Sequence, residues 1–120
     1  MTNSLALIIE DDEDLANIFS LTLSSIELEA EIIHDGETAL ARLAESVPAL
    51  IVLDLHLPAV TGETILKQIR ADERLSNSRV IVATADARMA DSVRKIADLV
   101  LLKPISPSQL QELAMRLNNA

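Results

Sequence analysis

The sequence contains no cysteine, tryptophan or tyrosine, and Phe19 is its only aromatic residue. The absence of cysteine excludes disulfides, thiolate metal sites and cysteine nucleophiles. A single aromatic side chain argues against binding nucleic acid by base stacking. Only two glycines are present, Gly36 and Gly62, so the sequence has no glycine-rich phosphate loop.

Long apolar runs and an excess of basic residues are also missing. Runs such as residues 49–53 are far shorter than the roughly 20 residues of a membrane helix, and no signal peptide is visible. The sequence has ten basic and nineteen acidic residues, which gives a formal net charge of -9. Because phosphate binding needs a basic face, we do not expect direct contact with nucleic acid. Because neither a membrane helix nor a signal peptide is visible, we expect a cytoplasmic protein that does not contact membranes.

The composition supplies enough apolar material for a packed core. Of the 120 residues, 49% are hydrophobic and 24% are charged, which lies outside the composition of disordered chains. A chain of this length buries roughly two-thirds of its unfolded surface. We therefore predict one domain over residues 1–120, with no effector domain included.

Short apolar runs alternate with helical patterns along the chain. Nearly continuous apolar runs predict four strands, at residues 5–9, 49–54, 79–84 and 99–102. Alternation of Ala30 and Ile32 with glutamates predicts a half-exposed edge strand. We expect an α/β fold, a single flavodoxin-like (βα)5 doubly wound parallel sheet with strand order 2-1-3-4-5.

A helical pattern follows each predicted strand. The expected inner face of the first helix comprises Leu15, Ile18, Phe19, Leu23 and Ile26. That of the second comprises Ala39, Leu40, Leu43 and Ala44. A short fourth helix is expected from Met89, Val93 and Ile96. Asp35 is the predicted N-cap of the second helix and Ser106 that of the last.

Chemically active side chains follow four of the five predicted strands. Glu10 and Asp11 follow the first, Asp54 ends the third, Thr84 ends the fourth and Lys103 follows the fifth. The carboxyl ends of parallel strands share one edge of the sheet, where ligands of such folds bind. These five side chains are therefore expected to converge.

Three carboxylates at one edge favour a bound cation. At about 5 Å they repel by roughly 3 kcal/mol per pair at an effective dielectric near 20, so they cannot all stay ionised without a counter-charge. Oxygen ligands with open positions suit Mg²⁺. A bound metal ion, the ammonium of Lys103 and the hydroxyl of Thr84 together indicate a site for a phosphoryl group.

Simpler interpretations exist for each residue taken alone. The acidic run at residues 10–14 is also typical of a solvated helix start, and Asp54 of a turn or cap residue. Neither His34 nor His56 has a histidine four residues away, so side-chain metal binding by either is not expected. The convergence of several groups at one edge is what favours a functional site.

Four segments occur in an order typical of one family: LALIIEDDED, VLDLHLPAVTG, VIVATADA and LVLLKPIS. Through them, essentially the whole chain resembles the receiver domain of two-component response regulators. The resemblance implies that Glu10 and Asp11 bind Mg²⁺ and that Asp54 is the phosphoacceptor and a further ligand. It also implies that the backbone carbonyl of His56 completes the metal shell.

The same resemblance implies a switch. Thr84 would be the switch hydroxyl and Lys103 the lysine that pairs with the phosphate. The phosphoryl donor would be a sensor histidine kinase or a phosphotransfer protein. The output would reach a downstream protein or effector domain through the fourth helix, fifth strand and fifth helix, and a second copy of the chain is a further candidate partner. Such a domain catalyses only its own phosphorylation and dephosphorylation and has no independent turnover substrate.

The chain departs from the family pattern in its second half. Val100 occupies a position where the family commonly carries tyrosine or phenylalanine, and the segment between Thr84 and Lys103 is shorter by about one helical turn. These departures motivate an alternative, a pseudo-receiver that acts as a phosphorylation-independent interaction module. A Mg²⁺-dependent phosphohydrolase is a weaker alternative, because no second acid stands at His56, and a flavin-binding role is weaker still.

Overall fold

The computed structural model describes residues 4–118 and contains one five-stranded parallel sheet. The strands are β1 (Ser4–Ile9), β2 (Leu28–Ile33), β3 (Leu50–Asp54), β4 (Arg79–Thr84) and β5 (Leu99–Leu102). Their order is β2-β1-β3-β4-β5, and all four neighbouring pairs are parallel. This confirms the predicted flavodoxin-like α/β fold.

A short 3₁₀ helix lies at Glu73–Leu75, and five α-helices connect or follow the strands within residues 4–118. They are α1 (Glu13–Ser24), α2 (Gly36–Ala44), α3 (Gly62–Ala71), α4 (Ala87–Val93) and α5 (Pro107–Asn118). Asp35 accepts a hydrogen bond from the N–H of Thr38, and Ser106 from that of Gln109, so both predicted N-caps are confirmed. None of the helices in the described part of the chain combines the length and apolar character needed to cross a bilayer.

The two faces of the sheet carry separate apolar clusters. Leu7 and Ile9 of β1 belong to the cluster under α2, α3 and α4, whereas Ala6 and Ile8 belong to the cluster under α1 and α5. This division follows from the two-residue period of a strand. Because helices cover both faces, β3 is buried throughout and β1 and β4 are buried except at their first residues, as the nearly continuous apolar runs predicted.

Four predicted helix positions differ from the structure. Ile18 is 43% exposed, because it lies outside the stripe of α1 that packs against the sheet. Ala44, at the end of α2, is also exposed. Ile26 lies beyond the end of α1, and Ile96 lies beyond the end of α4. Apolar spacing alone does not locate the edge of a buried face or the end of a helix.

Arg70 of α3 links the segments that lead into β4 and β5. Its guanidinium donates to Asp98 Oδ2 at 2.8 Å, to the carbonyl of Ser78 at 3.2 Å and to the carbonyl of Ile96. Asp98 Oδ2 also accepts from the N–H of Val80 at 2.7 Å. This network fixes the connection between α4 and β5 at the edge opposite the carboxyl ends of the strands.

Glu27, just after α1, has a left-handed backbone conformation with φ of 67°. Glycine adopts this conformation without steric cost, so Glu27→Gly is expected to raise the free energy of unfolding by up to about 1 kcal/mol. Glu29→Gly, with the same charge change inside the extended β2, is expected to lower it by roughly 0.5–1 kcal/mol. Urea denaturation of both variants checks this, and a loss of stability in Glu27→Gly would contradict it.

Candidate functional site

Three carboxylates meet at the carboxyl edge of the sheet. Glu10 and Asp11 follow β1, and Asp54 ends the neighbouring β3. Each offers an oxygen that lies within 4.8 Å of the others. The structure therefore brings together the three acidic residues that the sequence predicted to converge.

Lys103 reaches the same cluster from the far end of the chain. Its Nζ lies 2.7 Å from Glu10 Oε1 and 3.5 Å from Asp54 Oδ2. Its backbone N–H donates to the carbonyl of Thr84 at 2.8 Å, which fixes the residue just after β5 against the end of β4. One ammonium thus bridges two of the three carboxylates.

Glu10 is almost fully buried, with 1% of its surface exposed. Its N–H donates to the carbonyl of Ile33 at 2.9 Å, and its Oε2 accepts from the N–H of Asp12 at 3.2 Å. Burial and the nearby Asp54 raise the pKa of Glu10 to about 7, although the hydrogen bond from Lys103 opposes this shift. The carboxyl group therefore lies where a further positive charge would favour its ionised form.

The electrostatics of Lys103 complement those of Glu10. Partial burial alone would lower the pKa of the ammonium, but the hydrogen bond and charge of Glu10, together with Asp54, raise it above its ordinary value. Lys103 therefore remains a positive charge at neutral pH, held within reach of the Asp54 carboxylate.

Asp54 is also buried, with 3% of its surface exposed. Its Oδ1 accepts a hydrogen bond from the N–H of His56 at 3.0 Å, while its Oδ2 faces Lys103. This contact places the backbone of His56 beside the carboxylate. The imidazole of His56 is exposed and, with Asp86 and Arg88, borders an open cleft. The His56 carbonyl as a metal ligand stays a prediction.

Thr84 is fully buried at the end of β4. Its Oγ1 accepts a hydrogen bond from the N–H of Asp86 at 3.1 Å. Asp86 in turn caps α4, because its Oδ1 accepts from the N–H groups of Arg88 at 2.9 Å and Met89 at 3.2 Å. Two short links thus connect the Thr84 hydroxyl to the first turn of α4.

Sequence reasoning missed two residues that support this edge. The cap formed by Asp86 had a sequence signal, since an aspartate stands directly before the helical pattern of α4. His34 had none: its Nδ1 lies 2.9 Å from the carbonyl oxygen of Glu10, a contact across 24 positions of sequence.

The donor set fits a hard divalent cation. Glu10, Asp11 and Asp54 supply only oxygen atoms, and Lys103 offsets one of their three charges when all are ionised. Mg²⁺ prefers carboxylate oxygens and keeps several waters as further ligands. The residues present could therefore hold such an ion at the exposed side of the cluster, where Asp11 lies.

Comparison with characterised sequences gives a consistent family assignment. The family model described as the response regulator receiver domain matches residues 6–115. The chain is 36% identical to the sensory transduction protein RegX3 of Mycolicibacterium smegmatis and 32% identical to the DNA-binding response regulator MtrA of Mycobacterium tuberculosis. Each match covers 87% of this chain and 46% of the relative, so the chain spans about half the length of these proteins.

Solved structures share the fold over nearly the whole chain. The chemotaxis response regulator CheY4 of Vibrio cholerae superposes with a TM-score of 0.85 at 24% identity, covering 97% of this chain and 99% of that one. A sensor histidine kinase receiver domain from Pseudomonas aeruginosa, with magnesium in its active site cleft, gives a TM-score of 0.87 at 23% identity, covering 98% and 99%. By sequence and by fold, the chain belongs to the receiver domains of two-component response regulators.

Proposed function

We propose that Asp54 accepts a phosphoryl group in a Mg²⁺-dependent reaction and that the resulting aspartyl phosphate switches binding to a protein partner. One observation carries the proposal: a buried aspartate shares an edge with two further acids and with Lys103. The family membership supports it. The domain would span residues 1–120, catalyse only its own phosphorylation and dephosphorylation, and act in the cytoplasm.

The carboxylates of Glu10, Asp11 and Asp54, with the backbone carbonyl of His56, would hold Mg²⁺. When bound, the ion neutralises negative charge on the phosphoryl group during transfer. The chain itself supplies the rest. Glu10 is fixed by its backbone hydrogen bond to Ile33 and by Lys103, so the chain's own contacts hold one wall of the site in place.

In the transfer step, an Asp54 carboxylate oxygen would attack the phosphorus of a phosphohistidine on a sensor histidine kinase or phosphotransfer protein. The phosphorus–nitrogen bond breaks as the phosphorus–oxygen bond forms, and the imidazole leaves. Lys103 holds its ammonium beside Asp54 Oδ2 and would offset charge that develops on the transferring group. The aspartyl phosphate would later be hydrolysed: water attacks the phosphorus, the bond to the Asp54 oxygen breaks, and free carboxylate and inorganic phosphate are released.

The output would pass through the surface of α4, β5 and α5. The phosphoryl group adds acceptor oxygens that the Thr84 hydroxyl and Lys103 can meet. Because Thr84 Oγ1 is bonded to Asp86, which caps α4, a movement of the hydroxyl would alter the first turn of that helix. This route does not need an aromatic side chain at Val100.

A downstream protein or effector domain is the proposed reader of this surface. Leu102 at the end of β5 and Met115 on α5 are each nearly half exposed, which leaves apolar area for a partner or for a second copy of the chain. The named DNA-binding activity of relatives such as MtrA belongs to proteins about twice this length. For this chain, with its net charge of -9, we propose protein contacts and no direct nucleic-acid contact.

Mg²⁺ is expected to stabilise the protein by relieving repulsion among the three carboxylates. At ten times the dissociation constant, the gain in unfolding free energy is about 1.4 kcal/mol. Asp11→Asn should weaken this gain, and in EDTA it should raise the melting temperature slightly, because it removes one of the three repelling charges and Asp11 makes no side-chain hydrogen bond within residues 4–118. Thermal melts with and without Mg²⁺ check this. A wild-type melting temperature that does not change on addition of millimolar Mg²⁺ would contradict the metal site.

Reaction with a small acyl phosphate, followed by intact-mass measurement, tests the function. The wild-type protein should gain one phosphoryl group with Mg²⁺ present and none in EDTA. Asp54→Asn should gain none, although it retains an oxygen for the bond from His56. A wild-type protein that is folded, binds Mg²⁺ and yet forms no adduct with any donor would favour the pseudo-receiver alternative.

A further inference from the structure

His34 lies at the end of β2, where the chain turns toward α2. Its Nδ1 is 2.9 Å from the carbonyl oxygen of Glu10. A carbonyl oxygen can only accept a hydrogen bond, so Nδ1 is the protonated nitrogen and the imidazole is the donor. The contact therefore fixes both the tautomer of His34 and the direction of the Glu10 carbonyl.

This bond continues the sheet beyond its last strand pair. Ile9 is paired with Ile33, and the N–H of Glu10 donates to the carbonyl of Ile33. β2 ends at Ile33, so no further backbone N–H of the strand reaches the Glu10 carbonyl. The imidazole of His34 donates to that carbonyl instead. Both polar groups of the Glu10 backbone are thereby held by the end of β2.

The carbonyl of Glu10 belongs to the peptide unit that links Glu10 to Asp11. That unit is planar, so fixing the carbonyl also fixes the orientation of the Asp11 backbone. Glu10 has other anchors for its side chain, namely Lys103 and the N–H of Asp12. Within residues 4–118, Asp11 has no side-chain hydrogen bond or ion pair, so its backbone is what directs its carboxylate into the cluster.

We propose that His34 is a positioning residue for the metal site, acting through the Glu10–Asp11 peptide; this inference rests on the proposed Mg²⁺ site. Its imidazole holds that peptide in the orientation that brings the Asp11 carboxylate to within 4.8 Å of the other acidic oxygens. Removing a residue that orients a metal ligand commonly weakens metal binding by 10–100-fold.

Two variants separate this role from a general contribution to folding. His34→Ala removes the donor, whereas His34→Asn keeps a nitrogen donor at the δ position of the side chain. Titration calorimetry with Mg²⁺ should give a dissociation constant about tenfold higher for His34→Ala than for the wild type. His34→Asn should restore most of the lost affinity.

Unfolding in EDTA supplies the second measurement. A purely structural role would lower the unfolding free energy of His34→Ala while leaving the Mg²⁺ affinity of the folded protein unchanged, and that result would overturn the inference. Equal losses of affinity in the alanine and asparagine variants would also overturn it. If the wild-type protein does not bind Mg²⁺, the proposed metal site is overturned as well. If the wild type binds Mg²⁺ and the His34 variants bind it with the same dissociation constant, only the role of His34 is overturned.

Discussion

Lys103→Met is expected to slow phosphorylation of Asp54 by a small acyl phosphate about a hundredfold or more. The ammonium lies 3.5 Å from Asp54 Oδ2 in a partly buried setting, where a fixed charge stabilises developing negative charge far better than water does. Removing one such donor from an active site typically costs 10²–10³ in rate. The rate of adduct formation at saturating Mg²⁺, followed by intact mass, measures the effect.

Lys67→Met is the matched control. Lys67 lies on α3 with a side chain that is 66% exposed, and its one ion pair within residues 4–118 is with Glu63 one helical turn away, at 3.2 Å. The same change of side chain there should leave the rate unaltered. If Lys103→Met, shown to be folded by circular dichroism, reacted at a rate within a factor of a few of the wild type, Lys103 would have no part in the transfer.

Gly62→Ala is expected to lower the free energy of unfolding by about 3 kcal/mol. A Cβ at this position would lie 2.2 Å from the carbonyl oxygen of Asp54 and 2.6 Å from Cα of Leu55. Both are backbone atoms of the strand end that carries the site, so they cannot move aside as a flexible side chain can. The close approach of α3 to Asp54 therefore requires glycine. Urea denaturation measures the loss.

Gln68→Ala tests whether alanine itself harms α3. Gln68 is exposed on the same helix, and alanine has the higher helix propensity, so this change should be neutral or slightly stabilising. An unfolding free energy for Gly62→Ala equal to that of the wild type would show that the helix can shift away from β3. The packing described at Asp54 would then be wrong.

The fold and the convergence of the charged residues could be predicted from sequence. Alternating strand and helix patterns leave few parallel topologies, and in the chosen order the carboxyl ends of β1 and β3 are neighbours. The carboxyl end of β5 lies at the same edge, so topology predicts that Lys103 and Glu10 converge although 93 positions separate them. Topology alone was sufficient for these contacts.

Other features depend on tertiary packing that the sequence does not display. The exposure of Ile18 depends on how α1 rotates against its neighbours, and the end of α4 before Ile96 depends on the bonds that Arg70 makes to the following loop. The contact of His34 with the Glu10 carbonyl depends on where the chain leaves β2. A histidine in a turn gives no indication of such a partner.

The identity of the carboxyl group that carries phosphorus tests the central claim most directly. Borohydride reduces an aspartyl phosphate to homoserine at the residue that was phosphorylated, and peptide mass spectrometry then locates it. After reaction with an acyl phosphate and Mg²⁺, we expect homoserine in place of Asp54 alone. Reduction at Asp11 or Asp12 instead, or at no residue of a protein that binds Mg²⁺, would contradict the account.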